Sequence, residues 1–488
     1  MMKITSKYLL LGLFCSAIGL TSCTGLLDIT PVNSMTPETI NDYESILLGG
    51  YPRSDYFYKT ELMTDNAMVN LNTTYKPGAV DEPWFLFASS HQLDNTPNDP
   101  YWGQLYKTIF YANTVLDKFK EVIPTSEEQS NYDKIKGEAL ALRAYAYFYL
   151  VNMYADVYSA NNLELPGVPM PLNAVDVNEF SKNNVREPLG KVWSQINSDL
   201  ELAAGLLRGK PTDDRFRLNI TTVQLLRARI ALFMGQYDQA IAFAGEVMSS
   251  AKLADLNSMQ SYIDSKSNKY AFSGNTGFID TDYNREILFF TAGRANNNLF
   301  YYSQSAFKPT EEILDLTKRN GNLVDYRQYL FDSFEDFSQP DGIMVGKTVY
   351  HMFATQEKYW FYIGFKASEA YVIRAEAYAR KQQYSNALKD LNDLLVTRYK
   401  KGTFIGLKES DYSDKAGILK RVLEERRLET AFDGGLRFFD LRRLGKPEIK
   451  HTYKNGQEFV MRKDDPKYVL QIPQSEQNNS PNMPINPR

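Results

Sequence analysis

Cysteine is nearly absent from this 488-residue chain: there are two, Cys15 and Cys23, both close to the N-terminus. With no thiol beyond Cys23, disulfides, thiolate metal sites and thiol nucleophiles are excluded from the body of the protein. Histidine is almost as scarce, and His91, His351 and His451 lie far apart. HExxH, CxxC, GxSxG and the P-loop pattern are all missing. No catalytic constellation is visible, so the chain reads as a non-enzyme with no cofactor. Positive charge is not in excess either: 55 Lys+Arg face 59 Asp+Glu, a net of −4. A mildly acidic chain with no basic stripe argues against a nucleic-acid partner. The apolar run Tyr8 to Leu20 is too short to span a bilayer as a mature helix.

That run has a different reading. Lys3 and Lys7 precede it as a basic segment, and Leu20-Thr21-Ser22-Cys23 follows it. Small residues just before a cysteine resemble the bacterial lipoprotein cleavage box. Cys15 fits worse, because bulky Phe14 precedes it. Residues 1–22 are then a signal peptide, and Cys23 becomes the lipidated first residue. Several acyl chains, at about 0.8 kcal/mol per buried CH₂, give durable anchoring. An ordinary secretory signal is the alternative, and either reading takes the protein out of the cytoplasm. Residues 23–36 read as a lipid-anchored tether.

What is present is an ordinary globular composition, 43% hydrophobic and 23% charged, which argues against disorder. The stretch Gly137 to Tyr158 is free of proline and rich in Ala and Leu. It is apolar all round, the signature of a buried core helix. Arg143 within it must be paired or must snorkel. Pro37 to Leu48 reads as a short helix with Thr36 as N-cap, Trp102 to Val122 and Val192 to Leu207 as amphipathic helices. An internal repeat follows. Leu225 onward (LLRARIALFMGQYDQAIAFAGEVM) matches Val372 onward (VIRAEAYARKQQYSNALKDLNDLL), with Arg227-Ala228 on Arg374-Ala375 and Gln236-Tyr237 on Gln383-Tyr384. Each is helix, tight turn, helix: a tetratricopeptide-like unit. Arg143-Ala144 places the central helix at the start of another. Such units stack because one alone cannot bury its face. The fold class expected is mainly α, a tetratricopeptide-like helical scaffold with a large irregular, loop-rich insertion. The division expected is 37–250 helical, 251–365 irregular insertion with short strands at Glu286 to Thr291 and Lys347 to Phe353, and 366–488 a helical C-terminal region with an extended tail. Ile418 to Phe432 reads as a helix in which Glu424, Glu425, Glu429 and Asp433 pair with Arg426, Arg427 and Arg437 at helical spacing.

Taken in order, these segments resemble the SusD/RagB family of outer-membrane lipoproteins of Bacteroidetes. The resemblance rests on Leu20 to Cys23 followed by LLDITP, and on Trp102, Tyr106, Ala112-Asn113 and Val115 to Asp117. It continues through GEALALRAYAYFYLVNMY, IRAEAYAR, EERRLETAFDGGLRFFDLRRLG and YVLQIPQSEQNNSPN. Two departures stand out. Asp433-Gly434-Gly435-Leu436-Arg437 replaces the family's Glu-Gly-x-Arg, and Asn-Met-Pro-Ile-Asn-Pro-Arg replaces its Asn-Pro-Gly-Tyr close. The resemblance implies an SusD-like α-α superhelix. It also implies a surface-exposed binding protein, lipid-anchored through Cys23, that caps a SusC-like TonB-dependent transporter and delivers a glycan to it. Oligopeptides are the alternative cargo, and a tetratricopeptide adaptor is a more distant alternative.

A sugar binder needs aromatic platforms with amides and charged groups beside them, carried on loops. The candidate ligand residues are Tyr75, Trp84, Tyr283, Arg294, Asn296, Tyr301, Tyr302 and Trp360. Each ring could instead pack the insertion onto the scaffold. Asp94-Asn95 and Asn98-Asp99 have the residue types of a Ca²⁺ loop, but a solvated loop is the simpler reading, and no metal site is assigned.

Overall fold

The computed structural model describes residues 37–488 apart from 53–58, 72–76, 78–80, 90–99, 175–184, 211, 213, 260–284, 295–305, 319–322, 329–332, 339–343 and 350–359. The chain falls into two compact units, residues 1–43 and 44–488. In the first, Thr39 and Asp42 cap each other. The Asp42 carboxylate accepts from Thr39 N at 2.9 Å, and Thr39 Oγ1 accepts from Asp42 N at 3.2 Å. This reciprocal cap starts α1 (Ile40–Gly49), so the helix begins three residues later than Pro37 predicts.

The second unit is mainly helical. Its first long helices are α2 (Pro100–Lys118), α3 (Gln129–Tyr154) and α4 (Leu189–Leu207). Every residue of α3 from Gly137 to Tyr154 is buried, as a helix apolar on all sides must be. It packs between α2 and α4. The approach of α4 is close at Gly137, where a Cβ would lie 2.9 Å from Leu207. Arg143 is paired: its Nε and Nη2 donate to Asp199 at 2.8 and 2.7 Å, and Nη1 donates to Asn113 Oδ1 at 2.9 Å.

The repeat is realised as α5 (Ile220–Phe233) with α6 (Tyr237–Ser250). After α7 (Glu311–Lys318) in the insertion, it recurs as α8 (Ala367–Arg380) with α9 (Tyr384–Leu395). Both helices of each unit start at the same offset of 147 residues. The turns match as well. Gly235 sits at φ +72° and its counterpart Gln382 at φ +61°, a left-handed turn that only the first unit fills with glycine. Helices α10 (Lys415–Thr430) and α11 (Leu436–Arg443) follow, and α12 (Gln474–Asn479) closes the chain. The last corrects the expectation of a wholly extended tail: Gln477 Nε2 donates to Ile472 O at 2.7 Å and fastens one turn of helix there.

The described strands pair antiparallel, two by two. They are β1 (Ala67–Val69) with β3 (Phe307–Pro309), β2 (Ile287–Arg294) with β6 (Trp360–Lys366), β4 (Ser333–Ser338) with β5 (Met344–Val349), and β7 (Ile449–Thr452) with β8 (Glu458–Met461). Both strands expected in the insertion exist, β2 running past Thr291 to Arg294 and β5 starting at Met344, while residues 350–353 of the expected second strand lie outside the described residues. Each pairs with a strand not foreseen, β6 and β4, because pairing is decided by partners distant in sequence.

Candidate functional site

The β2–β6 ladder reaches from the core toward the segments that carry most candidate ligand residues. At its inner end Phe289 faces Phe365 across the register. Both rings are fully buried, with centroids 5.6 Å apart, and both lie against Tyr145 of α3 at 6.2 and 6.1 Å. At its outer end Arg294 and Trp360 are register partners. Two candidates far apart in sequence are thereby brought side by side. Asn296, Tyr301 and Tyr302 follow β2 in the chain and Tyr283 precedes it, while Tyr75 lies far from it in sequence. These five, like Cys23 and the Asp94 to Asp99 segment, lie outside the described residues. Trp84 is corrected. It is 2% exposed and packs edge-on against Tyr101 at 5.6 Å, so it is a core residue and offers no ring face to a ligand.

The ladder is held at its base by buried charge. Arg398 Nη2 donates to Glu286 at 2.8 Å and to Glu429 at 3.0 Å. Arg327 reaches Glu429 at 2.9 Å, Asp325 at 2.6 Å and Glu425 at 2.8 Å. Lys366, at the end of β6, donates to Glu429 O at 2.8 Å. Burial pushes Glu429 up, but Arg398 and Arg327 outweigh it and hold the carboxyl down at about 2. Burial raises Asp325 despite Arg327 beside it. The charged residues of α10 and the start of α11 are therefore paired, as expected, but mostly not with each other. Arg427 goes to Asp65 and Glu312, Arg426 to Asp440, Arg437 to Asp65, and Glu429 to Arg398 and Arg327. A buried carboxylate clamped by arginines has no free proton to trade, so these acids serve structure.

The cavities bordered by described residues include two that open elsewhere. The first, about 660 Å³, has Asp65, Glu311, Glu312, Arg437 and His451 in its wall. Its acids are engaged: Arg437 forks onto Asp65 at 2.8 and 2.6 Å, Arg427 meets Glu312 at 2.6 Å, and Lys308 meets Glu311 at 2.7 Å. His451 is sandwiched between Phe85 and Phe87, with centroids 4.2 and 4.4 Å away. The second, about 770 Å³, is a groove along α4, α5 and α6 bordered by Tyr158, Trp193, Asn197, Arg227, Gln239 and Phe243. The sequence reading missed this groove. Arg227 was visible there only as part of the repeat. Among the described residues no group of three or more His, Cys, Asp and Glu is placed to hold a metal ion.

The comparisons with known proteins agree with this architecture from end to end. Residues 27–232 match a family described as starch-binding and associating with the outer membrane, and residues 231–488 match the SusD family proper. The chain belongs to the SusD family. Its likeness to solved structures is at the level of fold. A SusD superfamily protein from Bacteroides thetaiotaomicron VPI-5482 superposes with a TM-score of 0.69 at 21% identity, covering 92% of this chain and 100% of the other. A SusD-like carbohydrate-binding protein from Bacteroides vulgatus ATCC 8482 gives 0.67 at 18%, covering 92% and 98%. One from Bacteroides fragilis NCTC 9343 gives 0.63 at 15%, covering 91% and 99%. No curated protein matches the sequence. Membership brings with it a SusD-like nutrient-binding role and the family's association with the outer membrane. No helix among the described residues of this SusD-family protein is long and apolar enough to cross a membrane.

Proposed function

We propose that this SusD-family protein is a non-enzymatic, lipid-anchored binder of a glycan, which it hands to a SusC-like TonB-dependent transporter in the outer membrane. The observation that carries the ligand half is the register of β2 and β6, which aligns Arg294 with Trp360. From there the chain runs directly into the segment holding Asn296, Tyr301 and Tyr302. A ladder anchored by buried ion pairs is a rigid scaffold, and segments carried by a rigid scaffold are where binding residues sit. Stacking a sugar ring on Trp360 contributes about 1 kcal/mol, so Trp360→Ala weakens glycan binding roughly five-fold, read by calorimetry.

The transporter half is tested by gentle detergent extraction from the native membrane through a C-terminal tag, with mass spectrometry of everything co-extracted. A stoichiometric β-barrel partner with bound oligosaccharide is expected. Bound peptide would overturn the cargo class, and a lone protein or soluble partners would overturn the transporter. Anchoring is tested separately. Cys23→Ser abolishes incorporation of labelled palmitate and moves the protein to the soluble fraction.

A further inference from the structure

The repeat permits an internal comparison at one position. In the α8–α9 unit, Arg374 forks onto Asp390 through Nε and Nη2 at 2.8 and 2.7 Å. On α3, the Arg143 of the matching Arg-Ala pair forks onto Asp199 in the same way. The α5–α6 unit departs from this. Arg227 corresponds to Arg374, but the residue at the place of Asp390 is Phe243, at the same 147-residue offset. The Arg227 guanidinium stacks on that ring, 4.0 Å from its centroid. Its hydrogen bond among the described residues is a single one, Nη1 to Gln224 Oε1 at 3.1 Å. Burial pushes Arg227 down, with Glu201 and Glu246 opposing that. A half-buried planar fork held flat by an aromatic ring is pre-organised for a bidentate acceptor.

Arg227 borders the 770 Å³ groove, a size usual for small-molecule sites, about 300–1,000 Å³. Trp193 also lines the groove, with its indole almost fully buried. The remaining wall mixes rings, Tyr158 and Phe243, with hydroxyls and amides, Ser194, Ser198, Asn197 and Gln239. Flat apolar faces beside hydroxyls and amides suit a hydroxylated ring. Glu201 and Asp238 also border the groove and disfavour a ligand with many negative charges.

We propose that the α4–α5–α6 groove is a second binding site, separate from the ladder end, for a saccharide unit bearing one carboxylate. The carboxylate takes the place on Arg227 that Asp390 takes on Arg374, and the ring lies against the groove's aromatic wall. The carboxylate half rests on the groove alone, and the saccharide half rests on the glycan-binding reading above.

The test uses the full-length protein in detergent micelles and ligand-observed NMR, with free glucuronate, glucose and acetate as probes. Glucuronate is expected to bind at least ten-fold more tightly than glucose or acetate. Arg227→Gln should weaken it at least ten-fold. So should Ser198→Trp, which fills the groove from an exposed position and leaves the core untouched. Trp360→Ala should leave glucuronate binding intact. No glucuronate binding, or binding indifferent to both groove variants, overturns the site. Acetate binding as tightly as glucuronate overturns the saccharide class. A co-purified glycan with no glucuronate binding would sink only this inference. Groove binding without glycan or transporter in the membrane extract would sink only the general function.

Discussion

Burial lifts the Glu61 carboxyl to about 8, with Asp433 and Asp65 adding to the shift and Arg437 opposing it. The carboxyl is fully buried, and the backbone of Phe432 beside it favours the charged form less than burial opposes it. The folded protein therefore holds a proton that the unfolded chain releases near 4.5. Stability from this group is intact below that value and falls as pH rises toward 8, by at most about 5 kcal/mol. Glu61→Gln should thus match the parent at pH 4 and exceed it by a few kcal/mol near pH 8, read from urea unfolding at a series of pH values. Nothing in the sequence singles out Glu61. Arg143 is the opposite case, because a lone cation on a wholly apolar helix has to be neutralised, although only the fold names Asp199. Trp84 was misread for a related reason: an aromatic in a loop-rich stretch has the same sequence signature whether it faces solvent or the core.

The two repeat turns make a prediction at the scale of the element. Gly235 and Gln382 occupy one left-handed position, and a Cβ on Gly235 would meet no atom within 4 Å. The cost of a side chain there is therefore conformational, about 1 kcal/mol. Gly235→Ala should lower the melting temperature, and Gln382→Gly should leave it unchanged or raise it, both read by calorimetry. The helices were legible in advance because their 3.6-residue pattern and their breakers are local. Their ends were less so. Where a cap forms depends on side chains such as Thr39 and Asp42 finding each other. The strands were half legible, since β2 and β5 carry a pattern of their own but β4 and β6 are defined by what they pair with.

Across the whole molecule, the linked charges Glu286, Asp325, Arg327, Arg398, Glu425 and Glu429 join residues 286–327 to α10 and to the turn that follows α9. Removing one partner strands a buried charge, which costs about 3–5 kcal/mol. Arg398→Ala should therefore destabilise by that order in denaturant unfolding. It should also speed hydrogen exchange at 287–294 and 360–366 as well as in α10, far from the substituted residue in sequence. Exchange confined to α9 would mean that the insertion is held by its apolar contacts instead. By itself the sequence determined the helical class, the repeat and its offset, the core status of α3 and the family, because each depends on local periodicity or on motifs in order. Only the tertiary structure decided which strand meets Arg294 with Trp360, which arginine closes on which carboxylate, and that Arg227, alone of the three matching arginines, stacks on an aromatic ring while the other two close on an acid. Those outcomes depend on which distant surfaces pack together, and packing is a property of the whole fold.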